Sequence, residues 1–314
     1  MTIAAISTAK SPAGIGIVRL SGEEAISLAD GFFQSKQSLK DPANDRKLLY
    51  GHIVSEGEVV DEVLAVAFRA PFSYTGEDMV EIQAHGSRIG LERILNCFIA
   101  AGAEPAKRGE FTKIAFLNGK LDLTEAEAII DMIEAESISA QKQSARQLTG
   151  HLYRKIEDFR TRIKDTLAHL VADIDFSTEE VEPVDVSALI TTCEAILAEM
   201  KALESTFTRG KLVQEGIATA IVGKPNVGKS SFLNKMLRED KAIVTDIPGT
   251  TRDVLEASYS LDGIHLRIQD TAGIRKTDDT IEQIGIERAM ASMDEADLII
   301  ALFDASRPLD KEDM

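Results

Sequence analysis

The sequence predicts a multidomain chain in three parts: an α+β domain over residues 1–118, an incomplete α-helical domain over 119–214 and an incomplete α/β domain over 215–314. Three observations predict it. Short β-like runs, among them Ile15 to Leu20, Val63 to Phe68 and Val80 to Gln83, alternate with shorter helical stretches up to about Asn118. From Leu121 the apolar residues recur at steps of three and four instead of two. From Ile217 an apolar run enters a glycine-rich turn and a helix, and a hairpin and a further apolar run follow.

Composition sets bounds on this scheme. The chain has 314 residues, enough for two or three domains with ample cores. Its net charge of −17 repels nucleic acid over most of the surface, so any RNA contact requires a local basic patch or another chain. Cys97 and Cys193 form no close pair of the kind that metal and redox motifs use, and each is expected to be a small buried hydrophobe. The start, Met1-Thr2-Ile3-Ala4-Ala5-Ile6, has no basic region or long apolar core, and no run reaches the length of a membrane span. A cytoplasmic, reducing location is expected.

In the first part, three segments carry glycines at turns: Ser11 to Arg19 with Gly14 and Gly16, Tyr74-Thr75-Gly76-Glu77-Asp78, and Arg108-Gly109-Glu110-Phe111. Turns before strands or helices account for each of them. In the second part, Thr124-Glu125-Ala126-Glu127 fits a helix-capping box. Leu148, Leu152, Ile156, Phe159, Ile163, Leu167 and Leu170 then mark one face of a long helix, in which Gly150 is a point of local break. After an acidic turn from Asp175 to Asp185, Leu189, Cys193, Ile196, Leu197, Met200, Leu203 and Phe207 mark a second amphipathic helix. Both stripes are expected to form helix-packing core, and two helices cannot bury them alone, which suggests a fragment.

The third part holds the most specific pattern. Gly223-Lys224-Pro225-Asn226-Val227-Gly228-Lys229-Ser230 matches the phosphate-loop spacing G-x-x-x-x-G-K-[ST] after the strand-like run Ile217 to Val222. Gly223 and Gly228 let successive N–H groups converge on phosphate oxygens at the start of the helix that runs through Ser231. Lys229 adds a point charge and the Ser230 hydroxyl is placed to ligate Mg²⁺. Next come Thr245-Asp246-Ile247-Pro248-Gly249-Thr250-Thr251, where a mobile loop is expected, and a hairpin of Val254 to Leu261 and Ile264 to Gln269 joined by Asp262-Gly263. The hairpin delivers Asp270-Thr271-Ala272-Gly273, and a helix from Ile281 to Ala296 and a buried strand from Leu298 to Phe303 complete a parallel-sheet pattern. Thr251 is placed to complete the Mg²⁺ shell and Asp270 to hold the ion through water, with the Gly273 N–H near the terminal phosphate. This is the layout of a switch GTPase, whose loops are ordered by the γ-phosphate. Ile274 cannot orient water by a hydrogen bond. Glu282 is a candidate for that task, although from the residues alone it reads as a first-turn carboxylate favoured by the helix dipole.

The phosphate loop, the Thr245 to Asp253 segment and Asp270 to Gly273 strongly resemble the family of tRNA-modification GTPases called MnmE or TrmE. So do Gly16 to Gly22, Tyr74 to Asp78, Arg108 to Phe111 and Leu117 to Leu123, so that the resemblance runs over the whole chain. It implies a GTP-hydrolysing component of the complex that installs an aminomethyl-type group at carbon 5 of the wobble uridine in certain tRNAs, working with the flavoprotein MnmG. It implies a homodimer formed through an N-terminal domain that binds a tetrahydrofolate derivative, 5-formyl- or methylene-tetrahydrofolate, with Arg19, Glu81 and Lys120 as the matching contacts. From the residues alone, Arg19 and Lys120 are ordinary surface ion-pair partners and Glu81 a strand-exposed carboxylate. The resemblance further assigns K⁺ to Asn226, Thr245, Ile247 and Thr250, and the orienting of water to Glu282.

The family's guanine-recognition motif Asn-Lys-x-Asp and its C-terminal Cys-x-Gly-Lys do not occur before Met314, so the preference for GTP and GDP rests on the resemblance. Two alternatives differ from this reading: a regulatory ribosome-associated GTPase with the same loops, and a non-hydrolysing folate-binding scaffold.

Overall fold

In the computed structural model, residues 1–9, 11–175, 185–224, 227–238, 242–243, 257–261, 264–268 and 293–310 are described. The chain separates into two units, Met1–Ala126 and Glu127–Met314. Among the described residues, no helix is long and apolar enough to cross a membrane.

The first unit is built on alternation. Strands β1 (Ile3–Ile6), β2 (Ala13–Ser21), β3 (Phe33–Gln34), β4 (Leu49–Ser55), β5 (Glu58–Phe68), β6 (Met79–Gly86) and β7 (Glu104–Pro105) form one sheet in the order β3-β4-β5-β6-β2-β1-β7. All pairings are antiparallel except β1 with β7. Because successive side chains point to opposite faces, Val18, Leu20, Val80 and Ile82 enter the core, while Arg19 and Glu81 lie on the other face. Helices α1 (Ala25–Phe32) and α2 (Arg88–Ala100) pack on the core face through Ile26, Ala29, Leu91, Ile94 and Phe98. Ser87 caps α2 by accepting a hydrogen bond from the Gly90 N–H. The short helix α3 (Glu110–Leu117) starts from Gly109, whose φ of 75° is a left-handed conformation suited to glycine.

Five helices follow: α4 (Leu123–Glu134), α5 (Ile138–Leu148), α6 (His151–Asp175), α7 (Val186–Ser205) and α8 (Phe207–Glu215). The cap of α4 differs from the expected one. Asp122, two residues ahead of Thr124, accepts the Glu125 N–H at 2.9 Å, and the Glu125 carboxylate accepts the Asp122 N–H at 2.9 Å. Thr124 spends its hydroxyl on Asp122 instead of on the backbone, because the shorter, charged acceptor precedes it. The break at Gly150 is present: α5 closes at Thr149, Gly150 takes φ 68°, and α6 starts at His151.

The stripes of α6 and α7 are less buried than expected. Phe159 and Ile196 are buried, but Ile156, Ile163, Leu167, Leu197 and Met200 are exposed, because among the described residues two helices have too little facing surface to cover them. Cys193 is exposed rather than buried, lining an apolar groove between α6 and α7, and Cys97 is half-buried.

Among the described residues, the unit ends in a sheet of five strands, order β12-β8-β11-β10-β9, with β8 (Ile217–Val222), β9 (Ala242–Ile243), β10 (Ala257–Leu261), β11 (Ile264–Ile268) and β12 (Leu298–Ala301). Strand β8 is parallel to both β11 and β12, and β10 runs antiparallel to β11 with Leu261 opposite Ile264, as the hairpin reading requires. Helix α9 (Lys229–Arg238) packs Leu233 against Tyr259, Leu266 and Ile268. Strand β12 was expected to be buried, yet Leu298, Ile299 and Phe303 beyond it are exposed, since β12 lies at the edge of the described sheet. The expected helix from Ile281 falls, as far as residue 292, outside the described residues.

Candidate functional site

Strand β8 and helix α9 hold the phosphate loop between them. At its entry Gly223 has φ 150°, and a Cβ there would collide with the Leu302 carbonyl oxygen, so the backbone approach itself demands glycine. Gly228 takes φ 101° immediately before α9, whose first turn is closed by the Phe232 N–H donating to the Gly228 carbonyl. Lys229 reaches back over the loop and donates to the Gly223 carbonyl and, at 3.0 Å, to that of Lys224. Burial lowers its pKa from the usual lysine range. Ser230 is half-buried in the first turn of α9 and Ser231 is exposed.

This geometry can receive an anion. The first N–H groups and positive end of α9 supply fixed partial charges, and Lys229 supplies a full one. Of the sequence-derived nucleotide residues, Val227, Gly228, Lys229, Ser230 and Ser231 are thus brought together on one loop and helix start. Asn226, Thr245, Asp246, Ile247, Pro248, Gly249, Thr250, Thr251, Asp270, Thr271, Ala272, Gly273 and Glu282 lie outside the described residues.

A second constellation lies in the first unit. The register of β2 against β6 sets Arg19 directly opposite Glu81. The Arg19 Nε and Nη2 groups both donate to Glu81 Oε1, at 2.9 and 2.7 Å. The guanidinium stands 5.5 Å from the ring centres of both Tyr74 and Phe111, a distance at which the ring quadrupoles attract a cation. The Tyr74 hydroxyl is 2.9 Å from that of Thr112 on α3, tying the two ring-bearing segments together.

The loop that carries Tyr74 is fixed from below. Buried Thr75 and Ser21 share a hydroxyl hydrogen bond of 2.7 Å, and Ser21 also donates to Glu77 at 3.0 Å. The Asn118 amide donates to the Thr75 carbonyl at 2.8 Å. Lys120 donates to the Pro71 carbonyl at 3.1 Å, so it meets this loop rather than the Arg19–Glu81 pair. Tyr74 and Phe111 were not singled out by sequence reasoning. The available signal was an aromatic beside each of two glycine turns, in the segments read simply as turns.

Residues 2–120 match the family described as "GTP-binding protein TrmE N-terminus", and residues 218–314 match the family described as "50S ribosome-binding GTPase". The chain is similar to a tRNA modification GTPase MnmE of Finegoldia magna, 48% identical over 311 residues, covering 99% of this chain and 69% of the relative. It is 46% identical over 314 residues to the tRNA modification GTPase MnmE of Clostridioides difficile, covering 100% of this chain and 68% of the relative. A third such relative, from Alkaliphilus metalliredigens, is 48% identical over 317 residues with coverages of 100% and 68%.

Proposed function

Because the chain belongs to the family of tRNA modification GTPases MnmE, we propose that it is the GTP-hydrolysing component of a tRNA wobble-uridine modification complex. In this reading it transfers a folate-borne one-carbon unit toward carbon 5 together with the flavoprotein MnmG. It is a GTPase, a hydrolase acting on GTP. The observation that carries the wider reading is the presence in one chain of a loop whose lysine already spans its phosphate cradle and of a stacked Arg19–Glu81 pair.

On the nucleotide side, Lys229 and the loop N–H groups draw charge from the β- and γ-phosphates as the bond to the leaving oxygen breaks. Glu282 orients the attacking water, the task that Ile274 cannot perform. Ser230 and Thr251 would hold Mg²⁺, with Asp270 as a further ligand through water, and the Ser230 hydroxyl in the first turn of α9 is a hard oxygen donor of the kind that ion takes. Asn226, Thr245, Ile247 and Thr250 would hold K⁺, which would offset the negative charge that develops during hydrolysis.

On the N-terminal side, Glu81 accepts paired hydrogen bonds from a pterin amine and ring N–H, and Arg19 and Lys120 meet the carboxylates of a tetrahydrofolate derivative. Arg19 orients the Glu81 carboxylate by donating twice to its Oε1, and the pterin groups would meet the rest of its acceptor capacity. The chain acts in the cytoplasm as a homodimer through the domain of residues 1–118, with 119–214 and 215–314 as helical and GTPase domains. A regulatory ribosome-associated GTPase is favoured by the match of residues 218–314, but that reading gives no use to the match of residues 2–120.

The test is GTP turnover in matched KCl and NaCl, combined with titration of 5-formyl-tetrahydrofolate. Faster turnover in KCl and saturable folate binding that Glu81→Ala abolishes are expected. Equal turnover in both salts would remove the potassium assignment, and absence of folate binding would remove the one-carbon reading.

A further inference from the structure

The phosphate loop is gripped from outside by a segment to which neither the motif nor the proposed mechanism gives a task. Beyond β12 the Leu302 N–H donates to the Val222 carbonyl at 2.8 Å, which carries the pairing with β8 up to the loop entry. The Leu302 carbonyl then fills the space that a side chain on Gly223 would need. At the end of the segment, Asp310 receives the Lys224 ammonium on both carboxylate oxygens at 2.6 Å. Arg307 also donates to Asp310, at 3.2 Å, and to the Pro308 carbonyl at 3.3 Å, while the Ser306 N–H donates to Asp304 at 2.9 Å. The partners Lys224 and Asp310 are separated by 86 residues of sequence.

We propose that Asp310 is a positioning residue of the nucleotide site, acting through Lys224 to hold the entry of the phosphate loop in its anion-binding shape. The inference rests on the nucleotide-site reading above. Lys224 is held at both ends, its ammonium by Asp310 and its carbonyl by the Lys229 ammonium. A fixed Lys224 carbonyl therefore fixes one of the two oxygens on which Lys229 rests before phosphate arrives. Asp310 contributes geometry here and opposes binding by its charge, since a carboxylate beside an anion site repels the ligand. The two effects have opposite signs, which makes the inference decidable.

The test measures release of a fluorescent GDP analogue, and its equilibrium affinity, in the full-length protein and in Asp310→Asn, Asp310→Glu, Lys224→Met, the Asp310→Asn/Lys224→Met double variant and Lys229→Ala. Removing the clamp is expected to speed release roughly two- to fivefold in Asp310→Asn, the scale of a partly exposed ion pair. Asp310→Glu restores most of the wild-type rate. The double variant is no worse than Lys224→Met alone, and the melting temperature of the nucleotide-free protein does not change across the series. Slower release or tighter binding in Asp310→Asn would mean that its charge alone matters, and would overturn the inference. So would additive losses in the double variant, or an effect that follows a fall in melting temperature. Nucleotide binding that survives unchanged in Lys229→Ala would overturn the nucleotide-site reading itself, and the inference with it.

Discussion

Arg19 and Lys229 are both cations on which the proposed function rests, and the chain holds them in opposite ways. Arg19 has its countercharge built in, with Glu81 across the strand pair and the rings of Tyr74 and Phe111 nearby. Lys229, among the described residues, rests on two backbone carbonyls, and burial disfavours its charge. The first arrangement is satisfied by protein groups, and in the proposed function the second is completed by phosphate. Mutations in the first region should therefore disturb structure and binding together, and mutations in the second should disturb binding with little effect on structure.

The largest expected effect is at Lys229. Lys229→Ala removes charge-assisted hydrogen bonds to phosphate worth about 3 kcal/mol, roughly a 100-fold loss in GTP affinity, read by equilibrium titration. Its melting temperature without nucleotide should not fall. A matching fall in stability would show that the ammonium is part of the fold, and would erase the contrast between the regions.

Glu81→Ala should be intermediate. It leaves the Arg19 guanidinium against its two rings without an acid, at a cost of about 1 kcal/mol to the first unit once solvent screening of a partly exposed pair is allowed for. Urea unfolding of the N-terminal unit within the full chain, followed by hydrogen exchange at β2 and β6, measures it. Folate binding and stability should fall together; loss of binding alone would place Glu81 with Lys229.

The smallest effect is expected at His265, a buried residue of β11 whose Nε2 lies 2.9 Å from Glu136. Burial lowers its pKa below the ordinary 6.5, the Glu136 carboxylate opposes that shift, and Arg267 adds to it. With the folded pKa below the unfolded one, the unfolded chain binds the extra proton first as pH drops. Stability is then full above 6.5, falls as pH drops from 6.5 toward the folded value, and levels off below it. The loss is at most about 1.4 kcal/mol for each pH unit between the two values. Urea midpoints over about pH 5.5 to 7.5 should follow this curve, and His265→Asn should flatten it.

These contrasts explain what the sequence could reveal. The phosphate loop is a backbone device written in contiguous residues, so Gly223, Gly228 and Lys229 are legible from their spacing. Strand alternation and the β10–β11 hairpin were legible for the same local reason. The Arg19–Glu81 pair spans 62 residues and exists through the register of β2 on β6, while Tyr74 reaches it from a loop and Phe111 from the first turn of α3. Spacing cannot show such a site, and it was the family resemblance that raised Arg19 and Glu81 above ordinary surface charges. The cap of α4 was placed two residues late because Thr124 and Asp122 compete for one role and their relative geometry decides it. The exposure of Cys193 and of β12 depends on which elements face them, a property absent from periodicity.

The central claim, that both regions serve one modification of tRNA, is tested most directly by nucleoside analysis of tRNA from a strain lacking the gene. The strain is supplied in turn with the full-length wild-type gene, Lys229→Ala and Glu81→Ala. The account predicts that the wild type restores the substituent at carbon 5 of the wobble uridine and that each variant leaves it missing. Full modification with either variant, or without any copy of the gene, would contradict it.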